Sequence, residues 1–303
     1  MKSWLKWGEN GPPSKLQEEN GDITISQTDY KDSVEEIKVP EDNTPGRSLN
    51  KEEYKSFRAA AGKLTWLSEM TRPDLQYDCL ELSCRSRNAK VEDISKMNKL
   101  IKRAKEQDNC IRYTRIGKLD TLKVLAVTDA AYLKLEDKTK SVMGRFIFLT
   151  DNDEKVGAPI VWKSKSIPTV CKSAKDAETR AADKCSEEAI YVARSIKELL
   201  SGQRGENQIK VDIVTDSMPL IDSLNSTKQV ENKLLRPLIK YMKQCLDAKM
   251  INSIRWCDTK VCLADVLTKA SSPLIKIIMD ILSTGKLIDL NWTNKNVSGV
   301  TVS

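Results

Sequence analysis

Hydrophobic residues recur every three or four positions from Lys51 to about Gln107: Tyr54, Phe57, Ala61, Leu64 and Leu67, then Leu75, Cys79 and Leu82 after a break at Pro73. That spacing predicts amphipathic helices. A further helix is predicted from about Val91 to Lys105, with Ile94, Met97, Ile101 and Ala104 on one side and lysines on the other. Ser48 or Asn50 is placed to cap the first helix, with Glu52 and Glu53 in its first turn. From about Leu119 the pattern changes. Strands are predicted at 121–128, 142–149 and 157–163, a long helix from about Ser173 to Leu200, and a strand at 209–215. A short helix at 218–225, a helix at 231–248, a strand at 250–256 and a helix from Leu263 follow. The turns LEDKTKS and DNDEK join the first three strands into an antiparallel meander, and helices between the later strands imply parallel crossovers. The predicted class is therefore α/β, a mixed sheet flanked by helices.

Four segments result: 1–50, irregular, with one weak strand in DITISQ (Asp22 to Gln27); 51–118, a small all-helical unit; 119–272, the mixed α/β domain; and 273–303, an apolar stretch (LIKIIMDIL) with a polar tail. The second segment carries 16 Lys/Arg against 10 Asp/Glu, and the first is acidic; a basic middle segment suggests a polyanion partner, with a solvated helix surface as the alternative. No window approaches eighteen uncharged apolar residues, and the start MKSWLKWGENGPP is broken by charge, Gly and Pro too early for a signal peptide. The expectation is an intracellular soluble protein with no membrane partner.

Composition removes most catalytic chemistries. The 303 residues contain no histidine, which excludes Ser-His-Asp and Cys-His nucleophiles, HExxH zinc sites and Cys/His fingers. The eight cysteines form no CxxC pair; Cys257 and Cys262 amount to half a metal site without a second half, so reduced, packed thiols are expected. Neither GxGxxG nor GxxxxGK[ST] occurs. Acid-base work is left to carboxylates, lysines, tyrosines or water on a metal.

Four carboxylates fit that requirement. Asp129 follows the apolar run Val124 to Val127, Glu178 lies one residue off the stripe Ala174, Ala177, Ala181, Cys185, Ala189, Val192, Ile196 and Leu199 of the long helix, Asp216 ends VDIVTD, and Asp265 opens LADVLTKA. Taken singly, each has an ordinary role as a helix cap, a first-turn acid or a turn residue. Together, two strand ends and two helix starts can meet at one edge of a mixed sheet, where four carboxylates repel unless cations hold them. Oxygen-only ligands suit Mg²⁺ or Mn²⁺, and two such ions support phosphodiester hydrolysis without histidine.

The order strand-Asp, helix-Glu, strand-Asp, helix-Asp resembles the ribonuclease H fold. The stretches VTDAAY, KTKSVMGRFIFL, IVWKSKSIPTVCKSAKDAETRAADKCSEE, VDIVTDSMPLIDSL, STKQVENKLLRPLIKYM and IRWCDTKVCLADVLTKA resemble the ribonuclease H domain of Ty1/copia-type retrotransposon polyproteins. EEYKSFRAAAGKLTWLSEMTRPDLQYD resembles their thumb and connection region, and GDITISQTDY the end of their polymerase palm. The resemblance, spanning roughly Ile23 to Ser272, implies a five-stranded mixed sheet and two Mg²⁺ or Mn²⁺ ions. Asp129 would bridge both, Glu178 and Asp216 would complete one site, and Asp265 the other. It implies the RNA strand of an RNA/DNA hybrid as substrate, with Lys163, Lys165 and Lys172 holding phosphates and the missing polymerase part as a partner.

Two departures qualify it. No Asp-Asp dipeptide exists, so polymerisation is not available to the chain, which reads as a truncated element; and the histidine that many ribonucleases H carry near the last Asp is absent. The competing expectations are an idle nucleic-acid-binding remnant, an integrase, which normally follows a His/Cys zinc module, and a structural α/β domain with four caps.

Overall fold

The computed structural model describes residues 14–106, 110–118, 121–135, 138–201, 209–228, 230–287 and 296–298. The irregular start at 1–13 and most of the polar tail, 288–295 and 299–303, lie outside the described residues. The chain divides into two units, with the boundary between Tyr113 and Thr114.

In the first unit, β1 (Lys15–Glu19) and β2 (Asp22–Ser26) form an antiparallel hairpin. Its turn is Asn20-Gly21, both with positive φ (54° and 85°), the residue pair that two-residue hairpin turns demand. The helices α1 (Thr28–Asp32), α2 (Lys51–Met70), α3 (Gln76–Arg85) and α4 (Val91–Glu106) follow. Asn50 caps α2 in a full capping box with Glu53. The segment is not all-helical as predicted: β3 (Cys110–Tyr113) returns to pair antiparallel with β2. DITIS thus belongs to a three-stranded sheet. Phe57, Leu64, Leu67, Ile94, Met97 and Ile101 are almost wholly buried and pack with Val34 and Ile37. Asn98 clamps Ile37 at both ends of its peptide, its Oδ1 accepting from the Ile37 N–H and its Nδ2 donating to the Ile37 carbonyl, each at 2.8 Å. Residues before Lys51 are part of this core.

The second unit contains β4 (Lys123–Leu135), β5 (Lys140–Thr150), β6 (Gly157–Ser166), α5 (Ala174–Ser201), β7 (Lys210–Thr215), α6 (Met218–Asn225), α7 (Arg236–Asp247), β8 (Ser253–Trp256), α8 (Ile275–Thr284) and β9 (Asn296–Ser298). The mixed, helix-flanked sheet is present as five strands in the order β6-β5-β4-β7-β8, with β9 added at the β8 edge. The first three strands pair antiparallel, and β4-β7 and β7-β8 pair parallel. β4 is buried on both faces, Val124 to Val127 being wholly inaccessible. Ala182, Cys185, Ala189, Leu220, Ile239 and Met242 from α5, α6 and α7 pack on it.

Several predicted elements differ. β4, predicted at 121–128, runs on to Leu135, so that Asp129 lies within the strand rather than after it, and β6 runs to Ser166 rather than 163. α7 starts at Arg236 rather than 231, because Pro237 is placed at the first turn and the residues before it turn back, Arg236 Nε donating to the Val230 carbonyl. β8 starts at Ser253 rather than 250. Leu199, counted in the α5 stripe, is 84% exposed, and the neighbouring Leu200 is exposed as well. The helix expected at Leu263 is a five-residue 3-10 turn, Leu263–Leu267. The stretch LIKIIMDIL forms α8, which buries Ile278, Ile281 and Leu282, and the chain after it bonds to the start of β6 (Gly157 N–H to Gly285 O, 3.0 Å). All eight cysteines are free, and Cys257 and Cys262 are buried.

Candidate active site

The parallel register of β4 and β7 builds the first half of the site. Thr128 pairs with Thr215, so Asp129 and Asp216, each one residue further on, leave neighbouring strands at the same level. Adjacent strands lie about 4.8 Å apart, which sets the spacing of two such side chains. β7 ends there while β4 continues, and α5 brings Glu178 over the same point. One carboxylate oxygen from each of Asp129, Glu178 and Asp216 lies within 4.8 Å of the others. The structure therefore gathers three of the four predicted carboxylates. Asp265, on the 3-10 turn, lies outside this group but close enough for its charge to act on Asp129.

Burial makes the cluster costly for three negative charges. Burial first, then the charge of Asp216, raises the Asp129 carboxyl to about 6, against the bond from Thr268 and the charge of Lys269. Glu178 is pushed up to about 9 by burial, then by Asp129 and Asp216, although the Ala130 N–H and Lys269 oppose the shift. Glu178 Oε2 is buried and accepts no hydrogen bond. A buried carboxylate oxygen without a donor costs free energy unless a proton or a cation satisfies it.

Residues not singled out from the sequence complete the setting. Thr268 Oγ1 donates to Asp129 Oδ2, Thr259 Oγ1 donates to Asp216 Oδ2 (2.7 Å), and Trp256 Nε1 donates to the Asp216 carbonyl (3.0 Å). Lys269 Nζ pairs with Asp265 Oδ1. The only sequence signal for Thr268 and Lys269 is their place three and four residues after Asp265 in LADVLTKA. Asp176, beside Glu178 in sequence, is wholly buried and serves the helix start, accepting from the Lys172 N–H (3.0 Å) and pairing with Arg180 (2.6 Å).

Gly144 holds the turn against the sheet. It pairs with Asp129 across β4-β5, and a Cβ there would lie 2.8 Å from Leu267 Cβ and Thr268 Cγ2 and 2.9 Å from the Ala264 carbonyl oxygen. A Gly144→Val substitution is expected to displace the turn that carries Asp265, Thr268 and Lys269, at a cost of about 1–3 kcal/mol. The check is a thermal melt of the variant against wild type.

The three lysines are dispersed. Lys163 and Lys165 lie on β6, paired with Arg145 and Met143, whereas Ser164 shares a row with Gly144 and Asp129. Directly opposed residues point to the same face, so Lys163 and Lys165 project to the other face from Asp129. Lys172 is exposed in the loop before α5.

A pH prediction follows from the raised carboxyls. In chelator, folded Glu178 keeps its proton to about pH 9, whereas its ordinary value is 4.5. Folding therefore retains a proton across this interval, and the stability it confers is full below about pH 4.5 and is lost as pH rises through 9. Asp129, raised to about 6, acts in the same direction at lower pH. The metal-free melting temperature should fall between pH 6 and 9, and Glu178→Gln should flatten that slope. An unchanged slope in the variant would refute the assignment.

No protein-family model and no curated protein matches the chain. Among the described residues no helix is long and apolar enough to cross a membrane. Several solved structures of ribonuclease H align with about half of the chain. RNase H1 from the archaeon Halobacterium salinarum NRC-1 is 16% identical over 48% of this chain and 93% of its own, at a TM-score of 0.34. LC11-RNase H1 in complex with an RNA/DNA hybrid is 13% identical over 50% of this chain and 96% of its own, at 0.34. The N-terminal RNase H domain of rv2228c from Mycobacterium tuberculosis is 12% identical over 52% and 99%, at 0.34.

Proposed function

We propose that the chain is a divalent-metal-dependent ribonuclease H, cutting the RNA strand of RNA/DNA hybrids to leave a 3′ hydroxyl and a 5′ phosphate. The observation that supports it is the convergence of Asp129, Glu178 and Asp216 within 4.8 Å around a buried Glu178 oxygen that has no donor. The donor set fits a hard cation: oxygens only, no imidazole in the chain, and carboxyls whose pKa values are raised by burial first and by one another's charge second. Asp129, Glu178 and Asp216 would hold Mg²⁺ or Mn²⁺, with Asp265 available to a second ion. When bound, such a pair supplies Lewis-acid chemistry, polarising the phosphate and making water nucleophilic at neutral pH. The chain's own contribution is placement. Thr268 and Thr259 fix the rotation of the Asp129 and Asp216 carboxylates, and hydrogen-bonded supports of this kind typically change metal affinity or activity 10–100-fold when removed. Of the three lysines the sequence suggested, Lys172, exposed before α5, is the proposed phosphate contact; Lys163 and Lys165 project to the face opposite Asp129.

The source we propose is a Ty1/copia-like element, on the resemblance of the quoted stretches. The alternative is an idle nucleic-acid-binding remnant, favoured by one observation: Asp265 is paired with Lys269 instead of joining the other acids. A labelled hybrid incubated with the purified chain in Mg²⁺, in Mn²⁺ and in chelator separates the two. Metal-dependent cutting of the RNA strand supports the nuclease; binding without cutting in either metal would remove it.

A further inference from the structure

Lys269 is placed oddly for a surface lysine. Its ammonium pairs with Asp265, whose side chain is only 5% exposed, while its own side chain is 44% exposed. Burial would lower its pKa, yet the bond to Asp265 and the charges of Asp129, Asp265 and Asp216 raise it, so it lies within the field of three acids. Asp129 and Glu178 feel it in return. An ordinary i,i+4 pair on a solvated helix face would have no such third and fourth partners. A lysine ammonium is compact, bears three donors and sits on a flexible stem, which makes it a fair substitute for a small cation.

We infer that Lys269 is a positioning residue that stands in for one of the two cations: paired with Asp265 beside Asp129 and Asp216, it holds the fourth carboxylate out of the cluster. A first divalent ion then binds among Asp129, Glu178 and Asp216 with the pair closed, and a second binds only when the pair opens. The inference rests on the reading of those three acids as ion ligands. Two features of the fold make the opening a matter of side chains alone. The absence of a side chain at Gly144 lets the turn of Ala264, Leu267 and Thr268 lie close against β5, so the turn is already seated and the second step needs only rotation of the Asp265 side chain. Lys269 is 44% exposed, so its ammonium can turn to solvent once an ion takes its place beside the buried Asp265 carboxylate.

The consequence is two ion-binding steps of unequal affinity, the weaker in competition with the lysine. Mn²⁺ titration of the full chain, by calorimetry and by the resonance of free Mn²⁺, tests this on wild type, Lys269→Gln and Lys269→Arg. Lys269→Gln should tighten the second step about tenfold, the scale of one charge-assisted bond, and leave the first within about twofold. Its metal-free form should also melt below wild type, because repulsion among the acids loses its relief. Lys269→Arg keeps the charge and should keep both steps apart. If wild type binds two ions and Lys269→Gln leaves both constants unchanged, the inference is wrong while the metal centre stands. If wild type binds no divalent ion, the metal centre itself is wrong and the role of Lys269 goes with it.

Discussion

Replacing Asp129 by Asn is expected to lower hybrid cleavage about 10³-fold in Mg²⁺ while leaving the fold intact. The magnitude follows from the stabilisation a correctly held ion gives to developing charge, several kcal/mol, at 1.36 kcal/mol per tenfold in rate. Asp129 is the most exacting position of the cluster, 3% exposed and flanked by both Asp216 and Glu178. The substitution removes a charge that burial already disfavours, so the metal-free protein should melt at the wild-type temperature or slightly above it. That combination, activity lost and stability kept, is what a purely structural acid would not produce. A carboxylate that merely ended a strand would lose a bond from Thr268 and some stability, with cleavage unchanged. Asp216→Asn should behave alike in cleavage, and a residual rate within tenfold of wild type in both variants would dismiss the metal centre.

In the first unit the largest expected effect is on stability. Arg72 and Asp74 form a bidentate ion pair with side chains 2% and 3% exposed, at 2.8 and 2.9 Å, and Arg72 Nη1 also donates to the Ala104 carbonyl at the end of α4 (2.6 Å). Removing one partner leaves the other charge buried and unpaired, at a cost of about 3–5 kcal/mol. Asp74→Ala is therefore expected to unfold this unit or to shift its denaturant midpoint by most of its range. Replacing both residues, Arg72→Met with Asp74→Leu, should recover much of that loss, because no lone charge remains. Denaturant unfolding followed by far-UV circular dichroism measures both; a double variant as unstable as the single one would show that the Ala104 bond, not the charge, carries the effect.

Much of this protein could be read from residue order. Periodicity located α2, α3, α4, α5 and α6, because each buries one stripe and the stripe is written locally. The meander followed by crossovers was legible for the same reason: turn residues and element lengths leave few ways to pair the strands. The hairpin at Asn20-Gly21 is equally legible as a weak strand or hairpin remnant, but the partner strand β1 (KLQEE) is polar and carries no hydrophobic alternation. β3 was hidden at four residues, and its strand character depends on β2 as partner.

The candidate site divides along the same line. Chemistry was decided by composition: a chain without histidine, with acids at two strand ends and early in a helix, leaves oxygen ligation as the route to hydrolysis. Position along the chain also marks Asp129 and Asp216, because in parallel register the residue after the last paired position of β7 lies beside its counterpart in β4, although β4 runs on past it. What no local pattern encodes is how far Asp265 stands from the other three. That depends on a short 3-10 turn in place of a helix, on a glycine from β5 that lets the turn press against the sheet, and on a lysine that takes up the charge. The glycine acts across more than a hundred positions, as Thr268 does on Asp129, and only the packed sheet brings such residues together.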